Sequence, residues 1–92
     1  MIKLVHAKWV GDSKLSLAFS DGSQGIYNFD TLLAKNTALT LSLKNSALFQ
    51  RFFIELGALC WPNGLEFSAS KLHIELAAAG ALLNAEHAAY MS

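Results

Sequence analysis

The stretch Lys14 to Ser20 constrains this chain more than any other. Leu15, Leu17 and Phe19 alternate with Ser16, Ala18 and Ser20, the period of two that puts every apolar side chain of a strand on one face. Asp21-Gly22 follows, a dipeptide that tolerates positive φ and favours a tight hairpin. A two-residue turn there pairs Phe19 with Gln24, Leu17 with Ile26 and Leu15 with Asn28, and so predicts that Ile26 shares a face with Leu17 and Phe19. With Ile2 to Val10 before it and Gly11-Asp12-Ser13 as a turn, the first third reads as an antiparallel meander.

The pattern changes at Asp30, which can cap a short turn carrying Thr31, Leu32 and Leu33. Leu39, Leu41 and Leu43 alternate as an extended segment would. Asn45 or Ser46 can cap a short helix through Gln50, and Phe52–Leu56 with Ala58–Trp61 form a second hairpin around Gly57. Pro62-Asn63-Gly64 must leave the ladder, because proline has no N–H to contribute. After Ser68 or Ser70 as N-cap, alanine and leucine predict a helix, with Leu72, Leu76, Ala79 and Leu83 facing the sheet. Gly80 in its middle is a potential break.

These elements predict an α+β fold: a small antiparallel sheet, built from an N-terminal meander plus a second hairpin, packed with short helices and a C-terminal alanine-rich helix. A chain of 92 residues makes one domain, spanning 1–92, with a core over 1–72 and a helical extension over 73–92. Such a domain buries only roughly 60–65% of its unfolded surface. The lone Cys60 excludes an internal disulfide, yet 53% of the residues are hydrophobic and only 15% charged. A homodimer is therefore expected.

Charge narrows the function. Seven basic and seven acidic residues balance, and the basic ones are scattered, which disfavours direct nucleic-acid binding. The N-terminal residues do not read as a signal peptide, and the uncharged stretch around Leu76 to Ala85 is too short to cross a bilayer. A cytoplasmic location is expected. No Cys/His spacing resembles a metal site, and no cofactor is expected. His73 and His87, fourteen residues apart, would lie about 21 Å apart along one helix. Cys60, beside Trp61 in an apolar strand, reads as an inert buried thiol.

Two surfaces carry functional interest. The corner Trp61, Asn63, Gly64 and Glu66 offers an indole, an amide, a close backbone approach and a carboxylate. It reads either as a binding surface or, preferably, as a rigid corner with Trp61 in the core. Glu66 is the member that the turn explains least. On the C-terminal helix, Ile74, Ala78, Ala81, Ala85 and Ala88 form a small-residue stripe, a candidate self-association interface.

The motifs LAFSDG followed by IYNFD, and SALFQRF followed by LCWPNGLEFSASKLH, resemble the bacterial family called domain of unknown function 2442, over about Val5 to Leu72. The Trp-Pro-Asn-Gly turn is the most specific part. The resemblance implies a compact α+β fold and a small uncharacterised bacterial protein. Some relatives are fused to helix-turn-helix domains and others are encoded beside short proteins suspected of being toxins, which suggests an accessory or antitoxin-like role. Glu66 departs from the family's usual aspartate, and the residues from Ile74 onward match no part of its pattern. The expectation is a non-enzymatic protein-interaction module that self-associates and serves a protein partner encoded nearby. The alternatives are an accessory component of a transcriptional regulator acting with nucleic acid, and a small enzyme.

Overall fold

The computed structural model describes residues 1–35 and 37–83. Strands β1 (Leu4–Gly11), β2 (Lys14–Phe19) and β3 (Gln24–Asn28) form one antiparallel sheet in the order β1-β2-β3. Helices α1 (Asp30–Leu33), α2 (Ala38–Ser42) and α3 (Ser46–Phe49) follow. A second antiparallel sheet, ordered β4-β5-β6, is built from β4 (Phe53–Glu55), β5 (Ala58–Cys60) and β6 (Glu66–Phe67). Helix α4 (Ala69–Ala78) closes the described chain, and the architecture is α+β.

The alternation of β2 is realised: Leu15, Leu17 and Phe19 are buried, while Ser16 and Ala18 are half-buried on the other face. The register is one residue off the expected one. Ala18 pairs with Gln24, Leu17 with Gly25, Ser16 with Ile26 and Leu15 with Tyr27. The cause is the loop. The Gly22 N–H donates to Phe19 O at 3.0 Å, the Phe19 N–H donates to Ser23 O at 2.8 Å, and Gly22 has φ +87°. This is a three-residue loop, a type I turn closed by a left-handed glycine, rather than a two-residue turn. A slip of one residue exchanges the faces of a strand. Ile26 accordingly lies on the outer face, 54% exposed, and Tyr27 turns inward.

Two further expectations are corrected. Asp30 does not cap α1; its own N–H donates to Asn28 Oδ1 at 2.9 Å, and Asp30 is the first helical residue. Leu39, Leu41 and Leu43 lie in or beside a helix, not in an extended segment. Thr37 and Thr40 form a reciprocal capping box there, each side chain accepting from the other's N–H. The alternation does not mark a strand face: Leu43 is buried, whereas Leu39 and Leu41 are exposed. Helix α3 begins as expected, with Asn45 Oδ1 accepting from the Leu48 N–H at 3.2 Å.

The second hairpin turns at Leu56 and Gly57, with φ of +51° and +79°, between the paired Glu55 and Ala58. Its tip is tied to the first sheet, because the Leu4 N–H donates to Gly57 O at 2.9 Å. Ser68 caps α4 through the Lys71 N–H, and Leu72 and Leu76 are buried.

Helix α4 ends before Gly80. The Gly80 N–H donates to Ala77 O at 3.1 Å and the Ala81 N–H to Leu76 O at 2.9 Å, with Gly80 at φ +69°. These paired bonds are the Schellman ending, for which glycine is the favoured residue. The chain then runs beside β3, where Gln24 and Leu83 exchange both backbone bonds, at 2.7 and 2.8 Å. Gly25 permits this approach, since a Cβ there would lie 2.6 Å from Ala81 O. Ala79 is therefore an exposed C-cap residue, and Leu83 belongs to a β-bridge, not to a helical face.

Candidate functional site

The Trp61 to Glu66 corner is assembled by the same local rule as the first hairpin. The Gly64 N–H donates to Trp61 O at 3.0 Å and the Trp61 N–H donates to Leu65 O at 2.9 Å, with Gly64 at φ +94°. In both loops the third residue anchors the turn through its side chain. Asp21 Oδ1 accepts from the Ser23 N–H at 2.9 Å, and Asn63 Oδ1 accepts from the Leu65 N–H at 3.1 Å. Phe19-Ser20-Asp21-Gly22 and Trp61-Pro62-Asn63-Gly64 are two copies of one pattern: an aromatic residue, a variable one, Asp or Asn, and glycine. Proline suits the second position because its fixed φ fits a type I turn.

The corner's groups are largely engaged within the fold. Trp61 is 1% exposed, and its indole N–H donates to Phe49 O at 2.8 Å. Its ring lies 5.6 Å from Phe29, 5.7 Å from Phe49 and 5.9 Å from Phe67, between ring centroids. The Asn63 amide N–H donates to Leu39 O at 3.0 Å, fastening the corner to the start of α2. Gly64 is exposed and meets no neighbour where a Cβ would stand, so its role is conformational. Glu66 is exposed on β6, opposite Cys60. The indole and the amide thus hold the corner rigid, and Glu66 is the member whose side chain faces solvent.

Cys60 is buried, and burial pushes its thiol above the ordinary value, with Glu66 and Glu55 pushing the same way. A raised pKa leaves less thiolate, the form that attacks electrophiles.

The self-association stripe does not run along one helix. Ile74, 65% exposed, and Ala78 share the outer side of α4, but Ala81 lies past the Gly80 ending, against Gly25. Ala85 and Ala88 lie outside the described residues.

One cluster escapes a reading by sequence. His73 Nε2 stands 3.0 Å from Asp21 Oδ2, and the Ser23 hydroxyl donates to Asp21 Oδ1 at 2.5 Å. The ring of His73 also meets Phe19 edge-on, at 5.1 Å. Serine, histidine and aspartate are the residues of nucleophilic hydrolysis, but that chemistry places histidine between the other two. Here Asp21 is in the middle, and Ser23 is 1% exposed. The cluster is a clamp that fastens α4 to the first hairpin. The Ser23 hydroxyl, then its N–H, and after them His73 hold the Asp21 carboxyl below its ordinary value, against the opposing effect of burial. A second fastening lies further along α4, where the Tyr27 hydroxyl donates to Glu75 Oε2 at 2.6 Å. Burial, reinforced by Glu75, pushes the Tyr27 phenol well up.

The family model described as a protein of unknown function (DUF2442) matches residues 4–73. The chain belongs to the DUF2442 family. The match runs from the first residue of β1 to the histidine of the clamp, and so contains both aromatic-x-Asx-Gly loops. No curated protein and no solved structure matches the chain. Among the described residues no three His, Cys, Asp or Glu side chains are grouped so as to hold a metal ion, and no helix is long and apolar enough to cross a membrane.

Proposed function

We propose that this DUF2442 protein is a non-enzymatic protein-interaction module that pairs with a second copy of itself along the edge of β1 beyond Leu4, whose N–H is taken by Gly57 O. The observation that supports the reading is the exposure of that strand. β1 is eight residues long and stands at the edge of its sheet, with Val5 59%, Trp9 39% and Val10 44% exposed. Edge strands of this length are templates for another strand unless charge, bulges or a covering element blunt them. The irregularities of β1 fall toward its ends, at Leu4/His6 and Trp9/Gly11, leaving His6 to Trp9 in regular register. Backbone bonds along such an edge supply affinity and flanking side chains supply specificity. The Trp61 indole, the Asn63 amide and the side chains of the clamp bond within the fold, which favours a binding role over catalysis. An accessory, antitoxin-like role toward a protein encoded nearby rests on the family resemblance alone.

Light scattering tests the proposal. The expected mass is twice 10.0 kDa, falling to the single-chain value in Val10→Lys, where a charge is set on the edge. A parent protein that stays monomeric at millimolar concentration overturns it. Retention on DNA that weakens with salt, by a monomer, would instead favour the accessory role beside nucleic acid.

A further inference from the structure

We propose that Asn63 is a covalent modification site: its amide converts to a carboxylate through a cyclic imide with Gly64, a reaction that the closed corner suppresses and that, once complete, unties the corner from α2. Of the five asparagines in the chain, Asn63 alone precedes glycine. Asparagine is chemically labile, and most so in that pair, because a following residue without Cβ leaves its backbone nitrogen open to approach. Gly64 is exposed and meets no neighbour where a Cβ would stand, so packing does not shield the pair.

The bond changes are few. Gly64 N gives up its proton to a base in solvent and bonds to Asn63 Cγ. The Cγ–Nδ2 bond breaks and ammonia leaves. Water then opens the imide at one of its two carbonyls, giving aspartate or its iso form, in which the main chain runs through the side chain.

Three hydrogen bonds oppose the first step. The Gly64 N–H donates to Trp61 O at 3.0 Å, so the proton that must leave is held in the turn. Asn63 Oδ1 accepts from the Leu65 N–H at 3.1 Å, and Asn63 Nδ2 donates to Leu39 O at 3.0 Å. With both ends of the amide held, Cγ cannot swing onto Gly64 N. The reaction therefore waits for the corner to open locally.

The first hairpin carries a precedent for the product. Asp21 occupies the equivalent loop position, and its Oδ1 accepts from the Ser23 N–H at 2.9 Å. An aspartate at the corner can hold the turn in the same way. It has no N–H for Leu39 O, and it sets a negative oxygen against that carbonyl. The tie to α2 is lost while the turn remains. The iso form lengthens the main chain by one carbon, so the turn beside the buried Trp61 is lost as well.

The test follows conversion of Asn63 in the full chain at mildly alkaline pH, folded and in urea, by peptide mass spectrometry, beside hydrogen exchange of the Gly64 and Leu65 amides. Folded conversion should run at least about tenfold slower than unfolded, a suppression matching the exchange protection of those amides within about threefold. A smaller suppression, or one that departs from that protection, overturns the gating by the corner. Asn63→Asp tests the consequence. The Leu65 amide should stay as protected as in the parent, while the Leu41 and Leu43 amides, which donate to Thr37 O and Thr40 O, exchange at least about tenfold faster. Unchanged exchange in α2 overturns the release, and an unfolded Asn63→Asp overturns the claim that aspartate keeps the turn.

Discussion

Replacing Trp61 with phenylalanine tests whether the corner is a piece of the core. The substitution keeps an apolar ring among Phe29, Phe49 and Phe67 but removes the indole N–H that donates to Phe49 O at 2.8 Å. Two costs follow. A buried carbonyl left without its donor costs about 1–3 kcal/mol. The smaller ring leaves a void in a site that is 1% exposed, adding on the order of 1 kcal/mol. The sum is about 2–4 kcal/mol, a large part of the roughly 5–14 kcal/mol expected for a domain of this length. For a chain near 100 residues each kcal/mol moves Tm by about 4–8 °C, so Trp61→Phe should melt about 8–32 °C below the parent. The assay is thermal and urea unfolding followed by far-UV circular dichroism, because Trp9 would confuse a fluorescence signal. Trp61→Ala, which empties the site, should cost about 3–5 kcal/mol. A Trp61→Phe protein melting within about 2 °C of the parent would refute the argument and return the indole to the binding surface.

Gly25→Ala sets a methyl group where Ala81 O stands 2.6 Å away; it should release the Gln24–Leu83 bridge, read as faster hydrogen exchange at those two amides, while Leu15 and Leu17 stay protected. Unchanged exchange at Leu83 would mean that the segment shifts without undocking. Asp21→Asn tests the clamp through acid. The folded Asp21 carboxyl titrates below its ordinary value of 3.8, so its stabilisation is complete above that value and is lost as pH falls through the lower folded pKa. Asn suits the same loop position at Asn63, so the variant should keep the hairpin and lose less Tm than the parent between about pH 5 and 2.5; parallel acid profiles would count against it.

What could be read from the sequence follows the range of each interaction. The β2 alternation, the Asn45 and Ser68 caps and the Gly57 turn are each set by residues within one turn of one another, and each appears where expected. Ile26 lies on the opposite face from the expected one because Asp-Gly suits two loops, the two-residue turn and the last two positions of a three-residue one, and the loops differ by one residue of register. The second aromatic-x-Asx-Gly segment, Trp61 to Gly64, held the missing signal: proline at its second position fits the longer loop, and FSDG repeats its pattern. The leucines of α2 alternate, but the Thr37/Thr40 box was the stronger local instruction.

The clamp lay beyond any such rule, since Asp21 and His73 are 52 residues apart and meet only after α4 packs across the hairpin. The same logic changes the standing of the corner. Trp61-Pro62-Asn63-Gly64 looks functional because it is chemically rich. Yet each of its distinctive groups answers a demand of the fold: an apolar site, a strand end, a bond to Leu39 and a left-handed turn. Where a residue does what its position requires, its chemistry says little about function.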